Sequence, residues 1–299
     1  MQLAIVGLGR MGLNMSVRLI RGGHKVVGFA PSPQTRRRAA RAGVTPAASL
    51  EDAVRRLKAP RTVWLMIPAG KPVWEAVDGL AGLLSPGDLV VDGGNSRWKD
   101  DSRHARLLAK RGISYMDVGV SGGIWGLKEG YCLMAGGSPK DFRRLAPLFK
   151  TLAPKDGFLL AGPVGAGHFT KMVHNGIEYA MMQGYAEGLS LLRASPFKPD
   201  LHAVCRLWNR GSVVRSWLLE LAESAFRKDP GLKGLHGWVE DSGEGRWTVL
   251  DSVELGVPAP AITAALYERF RSRMSDSFQD KVLAALRREF GGHAVRSAR

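Results

Sequence analysis

Two rhythms of apolar and polar positions divide the chain. In the first half, short apolar runs recur as LAIVGL (3–8), KVVGFA (25–30), TVWLMI (62–67), DLVVDGG (88–94), ISYMDVGV (113–120), CLMAGG (132–137) and GFLLAG (157–162). Each has the length of a strand buried on both faces. Between them the helical period takes over, as in the stretch closed by Gly22-Gly23 and across residues 99–111. Such strands alternating with helices predict a doubly wound, mostly parallel Rossmann-type α/β sheet. In the second half the strand signal stops. Helical periodicity covers 167–194, 201–228 and 258–290. The Gly/Pro-rich turn GPVGAG (162–167) launches the first of these. The pattern therefore predicts a dinucleotide-binding domain over 1–164 and an all-helical domain over 165–299. No internal repeat or low-complexity tract interrupts either.

The first run leads directly into Gly7-Leu8-Gly9-Arg10-Met11-Gly12, which fits GxGxxG. Alone the pattern is weak. Between a strand and a helix it has a mechanism: Gly7 makes the tight turn, Gly9 admits a pyrophosphate, and Gly12 lets helix and strand pack closely. The helix N-terminus then faces the anion. The second strand ends in Phe29-Ala30-Pro31-Ser32 rather than in an acidic residue. No carboxylate stands there to bind ribose hydroxyls or to repel a 2′-phosphate. Ser32 and Arg36 or Arg10 are candidate phosphate partners, so the sequence leans to NADP over NAD. A solvated helix face is the competing reading of Arg36–Arg38. Pro68, after the third apolar run, and Asn95, after the fourth, fall at strand ends that border such a cofactor.

Composition adds an unusual charge. Forty-three Lys and Arg against 27 Asp and Glu give +16 in 299 residues. Nucleic acid, anionic lipid or an acidic small molecule could each use such a field. The dense basic segments, Arg36–Arg41 and the C-terminal end, do not interleave aromatics as a single-strand binder would. An acidic small molecule is the preferred reading, and a basic module acting on nucleic acid the remote alternative. No apolar run approaches the roughly 18 residues of a membrane span, and the N-terminus lacks a signal-peptide pattern. A cytoplasmic location is expected. Cys132 and Cys205 form no CxxC pair and are expected to be buried, reduced thiols. No local set of His, Cys and Asp has metal-ligand spacing, so no metal is expected.

The most informative stretch is KMVHNGIEY (171–179). Lys171, His174, Asn175 and Glu178 share one helical face. Phe169, Val173, Ile177, Ala180, Met181 and Gly184 form the opposite, apolar face. The polar stripe itself continues into Met182 and Leu189, so the helix is expected to be covered on nearly all sides, with one polar island. Enclosed polar and charged groups need partners, and their protonation can be tuned. A functional site and a structural ion-pair network are both open from spacing alone. Beside a nicotinamide, the first suggests oxidation of an alcohol, with Lys171 accepting the hydroxyl proton.

These motifs together resemble the decarboxylating 6-phosphogluconate dehydrogenase family of the β-hydroxyacid dehydrogenases. GLGRMG, Asp92-Gly93-Gly94-Asn95-Ser96, Val118-Gly119-Val120-Ser121-Gly122-Gly123, Gly167 to Tyr179, Asp241 to Thr248 and Phe290-Gly291-Gly292-His293 carry the resemblance over nearly the whole chain. It implies oxidation of 6-phosphogluconate to ribulose 5-phosphate and CO2 in the pentose phosphate pathway. Lys171 would act as base and Glu178 as acid toward the enediol. Asn95, Ser121, Gly122, Gly123, His174 and Asn175 would hold the carboxylate and hydroxyls. Tyr179, Arg269, Arg287 and His293 would hold the phosphate end, with Arg271 or Arg273 as alternatives to Arg269. The last two, Arg287 and His293, would come from a neighbour's tail in a homodimer or homotetramer. Two departures stand out: Ala30-Pro31-Ser32 replaces the family's Asn-Arg-Thr, and the helical domain is that of the compact branch. A dehydrogenase for another β-hydroxy acid, such as 3-hydroxyisobutyrate, would not need the arginines and the tail.

Overall fold

A computed structural model describes residues 1–296. Its sheet has eight strands: β1 (Gln2–Val6), β2 (Lys25–Phe29), β3 (Thr45–Pro46), β4 (Thr62–Leu65), β5 (Leu89–Asp92), β6 (Ser114–Ser121), β7 (Cys132–Gly136) and β8 (Phe158–Gly162). Their spatial order is β3-β2-β1-β4-β5-β6-β7-β8. Every neighbouring pair is parallel except β6 and β7. The doubly wound sheet expected from the apolar runs is present. The sequence pattern does not reveal the two-residue β3, whose residues are exposed.

Helices cover the sheet. They are α1 (Arg10–Arg21), α2 (Pro33–Arg41), α3 (Leu50–Arg55), α4 (Lys71–Leu83), α5 (Trp98–Ala109), α6 (Gly126–Glu129) and α7 (Pro139–Leu152). Their starts are chemically marked. Ser32 and Ser138 cap α2 and α7 by accepting a backbone N–H, each followed by a proline suited to the first helical position. Two apolar cores result. One includes Leu3, Ile5, Leu19, Trp64 and Phe149, the other Val27, Val63, Leu65, Leu80 and Leu108. Strand residues alternate between them, so the sheet is buried on both faces.

The remaining helices are α8 (Ala166–Ala194), α9 (Leu201–Trp208), α10 (Trp217–Lys228), α11 (Glu244–Glu254), α12 (Pro260–Arg271) and α13 (Phe278–Gly291). The periodic stretches 201–228 and 258–290 are each two helices rather than one. Gly211, at φ +82°, and the capping Ser216 separate α9 from α10. Ser277 caps α13 after α12 has ended. The chain divides into two compact units, Met1 to Asn175 and Gly176 onward, with the division inside α8. In the second unit Leu189, Cys205, Leu219 and Phe226 form a small core. Cys205 is buried as expected, whereas Cys132 is exposed on β7 and both thiols are free.

Candidate active site

The dinucleotide turn is built as its spacing implies. Gly7 has φ +98°, and a Cβ there would stand 2.3 Å from the Met66 carbonyl oxygen. A Cβ on Gly12 would meet the Gly7 oxygen at 1.9 Å. No atom lies within 4 Å of a Cβ built on Gly9, the residue that opens α1. The backbone there is open to a pyrophosphate, and the residues fit one. Leu8 is buried, Met11 half-buried, and Arg10 exposed in the first turn of α1. β1 lies between β2 and β4, so the strand order reverses at β1 and β4, where a crevice outside the carboxyl ends takes ligands. Pro68 and Asn95 follow β4 and β5 at that end, and both are exposed.

Ser32 and Arg36 have other partners. The Ser32 hydroxyl accepts the N–H of Thr35. The Arg36 guanidinium donates to the carbonyls of Ala30 at 2.6 Å and Pro31 at 2.8 Å. It braces the end of β2.

Within the first unit, the opening turns of α8 hold the polar island. Lys171 is 7% exposed and Asn175 8%. The Lys171 ammonium donates to Asn175 Oδ1, which also lies 3.1 Å from His174 Nδ1. His174 Nε2 lies 3.4 Å from the Ser121 hydroxyl at the end of β6. Ser121, His174, Asn175 and Lys171 are thus joined. Gly122 (φ +128°) and Gly123 (φ +52°) turn the chain out of β6 through conformations that favour glycine. Trp125, in the loop beyond, is exposed.

A second layer of buried groups lies under this turn, and no sequence spacing pointed to it. The Asp117 carboxylate on β6 accepts the backbone N–H of Gly165 at 2.7 Å and of His168 at 2.8 Å, holding the N-terminus of α8. His168 Nδ1 lies 2.9 Å from Asp101 on α5, and the Tyr115 hydroxyl donates to the same carboxylate at 2.8 Å. Asp92, aligned with Asp117 in the sheet, accepts the Gly94 N–H and the Ser96 hydroxyl on either side of Asn95. The ligand atoms of Asp92, Asp101 and His104, and of Asp101, Asp117 and His168, lie within 4.8 Å of one another. The fold therefore gathers His and Asp clusters that were not visible as local motifs. Burial raises the Asp101 carboxyl to about 6 against the pull of His168. Burial alone would lower His168, but the facing Asp101, Asp92 and Asp117 carboxylates outweigh it and hold the imidazole at about 10.

Within the second unit, Tyr179 is buried and its ring carries the Arg269 guanidinium 3.4 Å from the centroid. The Tyr179 hydroxyl lies 3.3 Å from that of Ser242, which donates to Glu244. Arg269 also donates to the Glu240 carbonyl at 2.7 Å. Glu178 is half-buried. Arg287 and His293 are exposed and line a groove of about 400 Å³ together with Arg271, Asp280 and Lys281. Ser242 and Glu244 were not expected at the site; the Asp241 to Thr248 motif was the signal for them. The expectation that α8 is covered on nearly all sides needs correction. Lys171 and Asn175 of its polar island are enclosed, but His174 and Glu178 are half-buried, Ile177 is 51% exposed and Met181 40%.

Comparison with known proteins settles the family. Residues 2–162 match the model of the NAD binding domain of 6-phosphogluconate dehydrogenase, and 167–293 match its C-terminal domain. The chain belongs to the 6-phosphogluconate dehydrogenase family. The Bacillus subtilis protein YqeC is 41% identical over 296 residues, with 99% of each chain covered. An NAD(+)-dependent, decarboxylating 6-phosphogluconate dehydrogenase of Haloferax volcanii is 43% identical over 297 residues, covering 99% of this chain and 98% of that one. The chain spans only 62% of the length of the Bacillus licheniformis member. Among solved structures, 6-phosphogluconate dehydrogenase of Plasmodium falciparum superposes with TM-score 0.83 at 28% identity, over 97% of this chain and 65% of that one. A 3-hydroxyisobutyrate dehydrogenase of Mycobacterium tuberculosis (TM-score 0.75, 24% identity) shares the fold. This member of the family is an NAD(P)-binding oxidoreductase.

Proposed function

We propose that the chain converts 6-phospho-D-gluconate to ribulose 5-phosphate and CO2 with reduction of NAD(P)+. The observation that carries the reading is the enclosed amine of Lys171, grouped with Asn175, His174 and Ser121 on a glycine-lined strand end. The Gly7–Gly12 turn, Pro68 and Asn95 would hold the dinucleotide, whose nicotinamide would supply the acceptor for the hydride from substrate C3. Lys171 takes the C3 hydroxyl proton. As an ammonium it then polarises the new ketone, and the 3-keto acid loses CO2 to an enediol. Glu178 lies seven residues further along the same continuous helix, hence on the same face. It protonates the enediol carbon. Asn95, Ser121, Gly122, Gly123, His174 and Asn175 bind the carboxylate and hydroxyls. Tyr179, Arg269, Arg287 and His293 bind the phosphate.

Within NAD(P), the preferred coenzyme is NAD, reversing the lean of the sequence. Of the phosphate partners behind that lean, Ser32, Arg36 and Arg10, the first two are engaged in capping α2 and bracing β2. The Haloferax relative is named for NAD(+). The chain works as a homodimer or homotetramer in the cytoplasm. Support for assembly comes from α13, where Phe278, Val282, Leu283, Leu286 and Phe290 are all exposed. Such an apolar face is expected to be covered by a second copy, whose tail supplies Arg287 and His293. Among the described residues no helix is long and apolar enough to cross a membrane.

Initial rates with 6-phosphogluconate, gluconate and 3-hydroxyisobutyrate, each with NAD+ and NADP+, test the reading. Turnover of the phosphorylated acid, faster with NAD+, is expected. Turnover confined to an unphosphorylated acid would overturn it, and a preference for NADP+ would overturn the coenzyme assignment. A fully active monomer in sedimentation would overturn the assembly.

A further inference from the structure

We propose that the buried His168–Asp101 pair is a positioning device: it fixes the roll of the first turn of α8, and so the direction of the Lys171 side chain. The inference rests on the role of Lys171 given above. Two anchors hold this turn. Asp117 takes the Gly165 and His168 N–H groups and so fixes where the helix begins. The side chain of His168, one turn before Lys171, adds a directional tether by its bond to Asp101. Asp101 is itself oriented by Tyr115, and no atom of it reaches solvent. Phe169, the next residue, meets Trp98 of α5 edge-on, with ring centroids 5.4 Å apart.

Stability alone does not account for a buried His–Asp pair here. Replacing a buried ion pair by apolar groups of similar volume is often neutral or stabilising, whereas its hydrogen bonds are directional. Asp101 also lies in the cluster with Asp92 and His104, and Asp92 holds Gly94 and Ser96 on either side of Asn95. The Lys171 turn and the Asn95 loop are therefore held by neighbouring buried carboxylates. Small displacements at a reacting centre are costly in rate, by as much as about a hundredfold for about 1 Å.

Asp101→Asn, His168→Gln and the double variant test this. With 6-phosphogluconate and NAD+, each single variant should lose about tenfold or more in kcat. KM for 6-phosphogluconate should change less than kcat, because the variants remove no substrate-contacting side chain and act through the direction of Lys171. The double variant, which restores a neutral hydrogen-bonded pair, should recover much of the loss. Single variants with parental kcat would overturn the proposal, as would a loss matching the unfolded fraction measured by circular dichroism. If Asp101→Asn does not fold, His168→Gln decides alone. A substrate-free arm separates this inference from the functional reading. Acetic anhydride labelling of Lys171, read by mass spectrometry, should quicken several-fold in the single variants as the amine leaves its enclosure. If the parent turns over no 6-phosphogluconate yet labelling quickens, the functional reading falls and the positioning stands. Unchanged labelling overturns the positioning.

Discussion

The backbone of Gly119 lies so close to Lys171 that a Cβ on the glycine would stand 2.3 Å from the lysine Cβ. The same Cβ would be 3.0 Å from the Gly167 carbonyl oxygen. β6 and α8 thus touch through main chain, with the candidate base at the contact. Gly119→Ala should force the helix turn outward. A cost of roughly 1–3 kcal/mol is expected for such overpacking. The thermal midpoint should fall by several degrees, and turnover should fall further than the folded fraction does. Calorimetry and initial rates on the same preparation check both.

Lys171→Met separates catalysis from structure. If the lysine is the base, turnover should fall by about 10²- to 10⁴-fold. Coenzyme affinity, measured by fluorescence titration, should hold. Since methionine removes an enclosed charge, the thermal midpoint should stay level or rise. A marked drop in midpoint with turnover retained would favour the structural ion-pair network that spacing alone left open.

Arg287→Ala removes a cation from the C-terminal groove. KM for 6-phosphogluconate should rise by about 10- to 100-fold, equivalent to roughly 1.5–3 kcal/mol for a charge-assisted bond. Rates with unphosphorylated gluconate should not change. Equal effects on both substrates would remove the tail from phosphate recognition.

Stability should depend on alkaline pH through His168. Its pKa is raised from 6.5 to about 10 by Asp101 and His168's other neighbours Asp92 and Asp117, against the effect of burial. A folded pKa above the unfolded one gives stability that is complete below about 6.5 and lost as pH rises through about 10. Asp101, raised to about 6, works with the same sign at lower pH: its contribution is present below 3.8 and lost through about 6. The thermal midpoint should decline between pH 7 and 10, and His168→Gln should flatten that decline.

What the chain reveals on reading depends on how local the cause is. The strands, the Gly7–Gly12 turn and the stripe on α8 are written in runs and spacings of neighbouring residues, and the folded chain shows them. α9 and α10 read as one helix because apolar period continues across Gly211, whose positive φ makes the break together with the capping Ser216. The cluster of Asp92, Asp101, Asp117 and His168 draws on four elements. Each aspartate taken singly reads as a strand-end or helix residue, and only the fold makes them neighbours. Ile177 and Met181 were expected inside because they are apolar; their exposure is a property of packing that periodicity does not carry.

The bond from Arg36 to the carbonyls of Ala30 and Pro31 has a consequence for altering this enzyme. One guanidinium serves as the buttress of the strand end and is also a candidate partner for a 2′-phosphate. Replacing Arg36 to alter coenzyme binding would therefore also remove the two bonds that brace that corner. Shifting the preference calls for a new cation elsewhere in the β2–α2 turn, leaving Arg36 in place.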